Sequence, residues 1–216
     1  MKRFFIVIVA VILLFFLFIY FYDYRSNKQE SASDYSLSKK EINLIHDGDI
    51  ILRHGFGIVS DFISKTYNKG LQISHCAIIT KNAGTYNIIH SVSKSLSDFD
   101  GVQTQDLISF IRESKRNSVV VLRYKPKTDK SLSCISKRAK YYLDKRIPFD
   151  NSFDLDDSTE FYCTELLWKI FIDEFNDDIF PVESSGERDH LRMSTFFDTT
   201  RFQVIINHLP RLNQSI

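Results

Sequence analysis

Glu160-Phe161-Tyr162-Cys163-Thr164-Glu165-Leu166-Leu167-Trp168-Lys169-Ile170-Phe171 is the stretch on which the reading of this chain turns. Leu166, Leu167, Ile170, Phe171 and, further on, Phe175 recur at helical spacing. Glu165, Lys169, Asp173 and Glu174 lie between them, so the pattern predicts a helix with one stripe docked on a core. Asp156-Asp157-Ser158-Thr159, a run of natural N-cap residues, precedes it and puts Cys163 within about a turn of the helix start. Unpaired N–H groups point outward at that end, where they favour a thiolate and can stabilise an oxyanion. The other reading of Cys163 is a small buried hydrophobe, since free cysteine is among the most buried residue types.

Upstream of this helix, two histidines fall on what reads as a strand hairpin. Leu71 to Thr80 is predicted as a strand with Ile73, His75, Ala77 and Ile79 on one face and Gln72, Ser74, Cys76 and Ile78 on the other. Lys81-Asn82-Ala83-Gly84-Thr85 has turn chemistry, and Tyr86 to Val92 returns with Tyr86, Ile88, His90 and Val92 sharing a face. A two-residue turn at Asn82-Ala83 sets His75 directly opposite His90, whereas a three-residue loop closed by Gly84 turns His90 away. A thiol at a helix start with histidines on a hairpin supplies the parts of a cysteine hydrolase: nucleophile, general base and an orienting third group.

The composition bounds the rest. A chain of 216 residues with 44% hydrophobic content builds one core, and a net charge of +1 gives no global field that points to nucleic acid or a polyanionic substrate. Cys76, Cys134 and Cys163 are widely spaced with no Cys-x-x-Cys pair, so at least one thiol is expected to stay free within the chain. Phe4 to Tyr22 is an unbroken apolar run after Lys2 and Arg3. At about 1.5 Å per residue it can cross a hydrocarbon core of roughly 30 Å. It lacks a small-x-small cleavage site and is read as an uncleaved signal anchor, N-terminus inside.

Asp23 to about Lys40 is polar and is read as a tether. Gly48 to Arg53 then predicts a strand, and Phe56 to Tyr67 a helix ended by Gly70. Thr104 to Ser114 is read as a helix capped by Thr104, and Ser118 to Tyr124 as a strand. Ser131 to Leu143 predicts an amphipathic helix with Cys134 off its inward stripe. Arg201 to Ile206 is read as a closing strand. Asp154, Asp156 and Asp157 lack the glycine and terminal glutamate of a calcium loop and are read as solvated carboxylates.

Four motifs carry a resemblance. Gly48-Asp49-Ile50-Ile51, Ser74-His75-Cys76-Ala77-Ile78, Ile147-Pro148-Phe149-Asp150 and Phe161 to Lys169 are similar, in order and spacing, to the successive motifs of the circularly permuted NlpC-like, papain-fold amidases of the YiiX type. The likeness runs from about Gly48 to Val204. It implies an α+β fold in which a mostly antiparallel sheet carries the Cys163 helix, with Cys163 as nucleophile and His75 as base. It also implies the Cys163 N–H in the oxyanion hole and a third polar residue on the strand after the histidine strand. His90 matches that position, where YiiX-like members carry a glutamate; a neutral histidine there can accept from His75 and hold its tautomer.

The expectation is therefore a membrane anchor over residues 1–22, a polar linker over 23–40 and a permuted papain-like hydrolase domain over 41–216, with no cofactor or metal and no nucleic-acid partner. The activity expected is a thiol hydrolase that opens an amide or ester through an acyl-enzyme, on cell-wall peptide or lipid, outside the cytoplasm. Two alternatives stand beside it. One is a lipid acyltransferase on the same fold. The other is a non-catalytic zinc-binding or interaction domain that uses Cys163, His75 and His90 as ligands, although their spacing forms no metal motif.

Overall fold

A computed structural model of the chain describes residues 2–68, 70–155, 157–180 and 192–210. Its helices are α1 (Lys2–Ser31), α2 (Lys39–Ile42), α3 (Ile58–Thr66), α4 (Leu107–Arg112), α5 (Ser133–Asp144) and α6 (Cys163–Phe175), with a 3-10 turn over Met193–Phe197. Its strands are β1 (Ile50–Arg53), β2 (His75–Asn82), β3 (Thr85–Val92), β4 (Gly101–Asp106), β5 (Val120–Tyr124) and β6 (Phe202–Asn207). They form one sheet in the order β4-β3-β2-β1-β5-β6, with every neighbouring pair antiparallel.

Strand alternation sorts the side chains into two cores. Ile50, Leu52, Cys76, Ile78, Val120 and Leu122 pack with Leu166, Leu167 and Ile170 of α6 and Ile135 and Ala139 of α5. Ile51, Ala77, Ile79, Ile88 and Val121 pack on the other face with Leu107, Phe110 and Ile111 of α4 and with Tyr35, Leu37 and Ile45. Both faces are covered, so central strands such as Ile50-Ile51-Leu52 are apolar without alternation.

The motifs of the sequence turn out to be joints of this frame. Gly48 has φ 89, and a Cβ on it would lie 2.5 Å from the Leu132 carbonyl oxygen, so only glycine fits where the chain enters β1. The buried Asp49 accepts from Arg123 Nε and Nη2 at 2.8 and 2.9 Å and from the His46 N–H at 2.7 Å, tying the turn that leads into β1 to β5. In the Ile147 to Asp150 motif, the Ile147 carbonyl accepts from Val102 at 2.8 Å and the Pro148 carbonyl from Phe161 at 2.9 Å. The buried Asp150 carboxylate accepts from the backbone N–H groups of Ser152, Phe153 and Asp154, which folds the following loop back on itself. Asp154 and Asp157 belong to that loop region, and Asp156 lies outside the described residues.

Four local expectations change. β2 begins at His75 and not Leu71, because Gln72 adopts a left-handed φ of 49. Thr104 does not cap a helix: Gly101–Asp106 pairs with β3, and Asp106 caps α4 by accepting from the Ser109 N–H at 2.8 Å. The cap-forming run before α6 lies upstream of the true start, whose N-cap is Tyr162, so Cys163 is the first helical residue. Residues 23–40 are no free tether: the helix continues to Ser31, and Tyr35 and Leu37 are buried in the second core.

Gly101 links this frame to Cys163. It has φ 80, and a Cβ there would come within 2.1 Å of the Ile147 carbonyl and 2.6 Å of Pro148. Gly101→Ala is expected to cost about 2 kcal/mol or more in a denaturant melt. Because Pro148 also holds Phe161, the same variant should slow alkylation of Cys163.

Candidate active site

Cys163 is placed by its neighbours on both sides. The Phe161 N–H is held by Pro148, its carbonyl accepts from the Ser91 hydroxyl, and the Tyr162 N–H donates to the Glu165 carboxylate at 3.4 Å. The thiol thus sits on the first residue of α6, where the free N–H groups of the first turn give a positive end. It remains partly exposed, while the helix behind it is buried from Thr164 to Leu167.

The hairpin delivers both histidines to one face. Asn82 pairs with Thr85 and Ile78 with Ile89, so the turn is Ala83-Gly84, with φ 47 and 88 at its two residues. Positive φ at both positions is what a tight primed turn requires, and Gly84 supplies it without strain. This turn lies one residue later than Asn82-Ala83. His75 and His90 still share a face, but as diagonal neighbours and not directly opposed residues. Their rings meet, with His75 Nε2 2.9 Å from His90 Nδ1.

Burial, the neighbouring His75 and Arg53 hold the His90 imidazole well below its ordinary pKa, so it is neutral. Its Nδ1 then serves as acceptor for the His75 Nε2–H. The proton on its own Nε2 is buried, with no hydrogen-bond partner among the described residues.

Strand alternation predicts Cys76 on the face opposite His75. The faces are as expected, but α6 lies on the Cys76 face, so the two thiols touch. His75, as the first residue of β2, reaches the same sulfur from the strand end. A hydrogen bond from Cys76, reinforced by the hydrogen bond and charge of His75, holds the Cys163 thiol well below its ordinary pKa against the opposing effect of burial. Burial, then the neighbouring Cys163, pushes Cys76 the other way. The pair is therefore one thiolate at Cys163 and one thiol donor at Cys76. Cys134 stands apart, its pKa raised by burial and by Glu174.

Two further residues escaped the sequence reading. Arg53 pairs directly opposite His75, donates to the Phe110 carbonyl at 2.8 Å and lies 4.0 Å over the Phe110 ring. That ring stands 6.0 Å from His75 and 5.8 Å from His90, a wedge that fixes both imidazoles. The signal was a lone charge ending the apolar Ile50-Ile51-Leu52 strand. Glu165, read as a polar spacer, is fully buried because its carboxylate turns back to the Tyr162 N–H. Burial pushes its pKa up to about 8, with Asp150 and Asp157 adding to the effect.

An antiparallel sheet that carries a thiol-bearing helix, with the histidines earlier in the chain than the cysteine, defines a circularly permuted papain-like fold. The family model described as permuted papain-like amidase enzyme, YaeF/YiiX, C92 family, matches residues 44–184, more than half of the chain, and the chain belongs to that family. It is accordingly an enzyme of the hydrolase class, from a cysteine peptidase and amidase family. Among solved structures it is similar to one described as metalloprotein yiiX from Escherichia coli O157:H7. That match has 18% identity and a TM-score of 0.60, and covers 76% of this chain and 98% of the other. No curated protein sequence matches.

Removing the Cys76 donor in Cys76→Ala should move the pH midpoint for iodoacetamide labelling of Cys163 upward and slow the reaction at pH 6. Peptide mapping should find Cys163 labelled first in the parent chain, and an unchanged profile in the variant would separate the two sulfurs. Glu165 makes a second prediction. Below 4.5, its ordinary value, it is protonated both folded and unfolded, whereas between there and about 8 only the unfolded chain ionises. Its contribution to stability should therefore fall as pH rises through that window. Glu165→Gln should flatten the decline in urea melts taken across it.

Proposed function

We propose that the enzyme is a thiol hydrolase that cleaves an amide or ester through an acyl-enzyme on Cys163. The observation that carries this reading is the continuous chain from the depressed Cys163 thiol through His75 to the neutral His90, with 2.9 Å between the two imidazoles.

The Cys163 thiolate attacks the substrate carbonyl, and the negative charge that develops on oxygen lies at the positive end of α6, with the Cys163 N–H as one donor. The protonated His75 gives its proton to the departing amine or alcohol, leaving a thioester. A water molecule then attacks that thioester while His75 takes its proton. The acid leaves and the thiolate is restored. Through both halves His90 accepts from His75 Nε2 and keeps the other nitrogen turned towards sulfur. It lacks the charge with which a carboxylate would stabilise the imidazolium, so its contribution is orientation.

Acyl transfer to an alcohol or amine needs no change in this chemistry before the thioester, so the acceptor alone separates the lipid acyltransferase reading. The metal-binding reading draws support from the description of the similar yiiX structure as a metalloprotein. Among the described residues, however, no group of three His, Cys, Asp or Glu side chains is arranged to hold a metal ion. Stoichiometric zinc in the purified chain would favour that reading.

α1 is long and apolar enough to cross a membrane by length and composition. Retention as an anchor is supported by the polar contacts its last turns make with the domain: Tyr22 with Asp61, Asp23 with the Ile58 N–H and Ser26 with the Gly57 N–H. The domain is assigned to the side opposite Lys2 and Arg3, where cell-wall peptides and outer-leaflet lipids are the available substrates.

Cys163→Ala and His75→Ala should each lower turnover of an activated ester or amide by at least about 10³-fold. His90→Ala should lower it less and narrow the pH range of activity. Undiminished turnover in Cys163→Ala would overturn the assignment. External protease on intact cells should digest the domain, and protection of the whole chain would reverse the topology.

A further inference from the structure

We propose that the end of the sheet carrying Cys163 and His75 faces the bilayer and rests on it, with α3 and the loop over residues 93–100 dipping into the lipid surface. The seating rests on the anchor reading of α1. Its consequence for substrate, a carbonyl presented at the membrane surface, rests on the hydrolase reading as well.

The argument starts from a single unbroken helix. Tyr20, Tyr22 and Tyr24 cluster where the apolar run of α1 ends, the position of an aromatic belt at a membrane–water boundary. The helix does not stop there but runs on to Ser31, so the domain is fixed to it by its last turns. Tyr22 is bonded to Asp61 in α3, Asp23 accepts from the Ile58 N–H at 3.4 Å and Ser26 accepts from the Gly57 N–H at 2.6 Å. The start of α3 is therefore level with the boundary. Farther along, Glu30 lies within electrostatic reach of Arg53 and Glu113. Arg53 pairs with His75, which places the catalytic level roughly 12 Å beyond Tyr22 at about 1.5 Å per helical residue.

The chain continues in the same direction. Asp34 pairs with Arg116, Tyr35 bonds His208 beyond β6, and the Ile45 carbonyl accepts from Tyr86 at the far end of β3. The sheet thus stands with the end of β1 and the start of β2 towards the lipid and the Ala83-Gly84 turn away from it.

The apolar surface follows the same axis. On α3, Val59 and Phe62 are exposed, although α1 occupies another side of that helix. Beyond β3, at the membrane-facing end, Leu96 and Phe99 are exposed, Phe99 by 71%. Beside this loop lies Phe153, on a segment joined to it by the Ser93 to Asn151 and Phe149 to Asp100 hydrogen bonds. At the opposite end, residues 81–85 are exposed and mostly polar. Apolar side chains on separate elements converge at the end that the anchor holds against the bilayer, a pattern suited to interfacial insertion.

Brominated-lipid quenching tests the seating with the full chain reconstituted in phosphatidylcholine vesicles. Phe62→Trp, Phe99→Trp and Thr85→Trp are each compared with the parent chain, which carries Trp168 and serves as the blank. The added emission at positions 62 and 99 is expected to lose most of its intensity on bromination of the acyl chains, while that at 85 is unaffected. Equal quenching at all three positions, or none at 62 and 99, overturns the proposal.

A second reading uses no tryptophan. Phe62→Asp with Phe99→Asp should depress turnover of an ester embedded in vesicles while leaving the rate of Cys163 labelling by a small soluble thiol reagent unchanged. Unchanged turnover in a chain whose Cys163 still labels overturns the substrate consequence. Failure of Cys163 to label in the parent chain would strike the hydrolase reading and leave the quenching result intact.

Discussion

The contact on which the rest depends is the meeting of the first residue of α6 with the first residues of β2. Neither partner can be moved without the other. Cys163 needs the end of a helix to expose its sulfur to free N–H groups, and His75 needs the end of a strand, where the sheet stops, to reach across to that sulfur. Asp49, Gly48, Gly101 and the Ile147 to Asp150 loop serve this meeting: they fix β1 against β5, set β4 against Pro148 and hold Phe161 in place. The core behind α6 supplies rigidity, because the helix is buried along one side and cannot rotate its cysteine away.

Electrostatics at this contact comes from unlike groups kept in unlike states. Cys163 is drawn to the thiolate by the Cys76 hydrogen bond and by His75, while Cys76 is buried and stays a thiol. His90 is held neutral by burial and by the nearby His75 and Arg53, so it can only accept from or donate to its neighbour without competing for the charge. A carboxylate in place of His90 would pull the proton on His75 more strongly. Its replacement by a neutral ring leaves the Cys76 donor a larger share in stabilising the thiolate. Pairs of titratable groups driven apart by their surroundings are characteristic of sites that move protons.

Much of this was legible in the chain. The stripe from Leu166 to Phe175 and the hairpin with a histidine on each arm follow from periodicity alone, and four short motifs in order identified the family. What escaped was set by tertiary contacts. The turn at Ala83-Gly84 differs from Asn82-Ala83 by one residue, which changes opposed histidines into diagonal ones without changing their face. Cys76 was assigned to the correct face and then set aside, because no local pattern says which face receives α6. Glu165 looked solvent-facing by spacing, yet capping the Tyr162 N–H draws it inside. Residues 23–40 are polar enough to read as a tether, but polar side chains on a continuing helix can bind a neighbour as readily as water. Asp23 and Ser26 do so by accepting from the start of α3.

The central claim, that acyl transfer passes through Cys163 under the control of His75, is tested most directly by trapping the intermediate. An activated ester is mixed with the enzyme, quenched in acid within the first turnover and mapped by peptide mass spectrometry. The account predicts an acyl group on the peptide containing Cys163 that disappears on longer incubation in the parent enzyme and fails to accumulate at that rate in His75→Ala. Turnover with no adduct on Cys163, or with the acyl group on another residue, would contradict it.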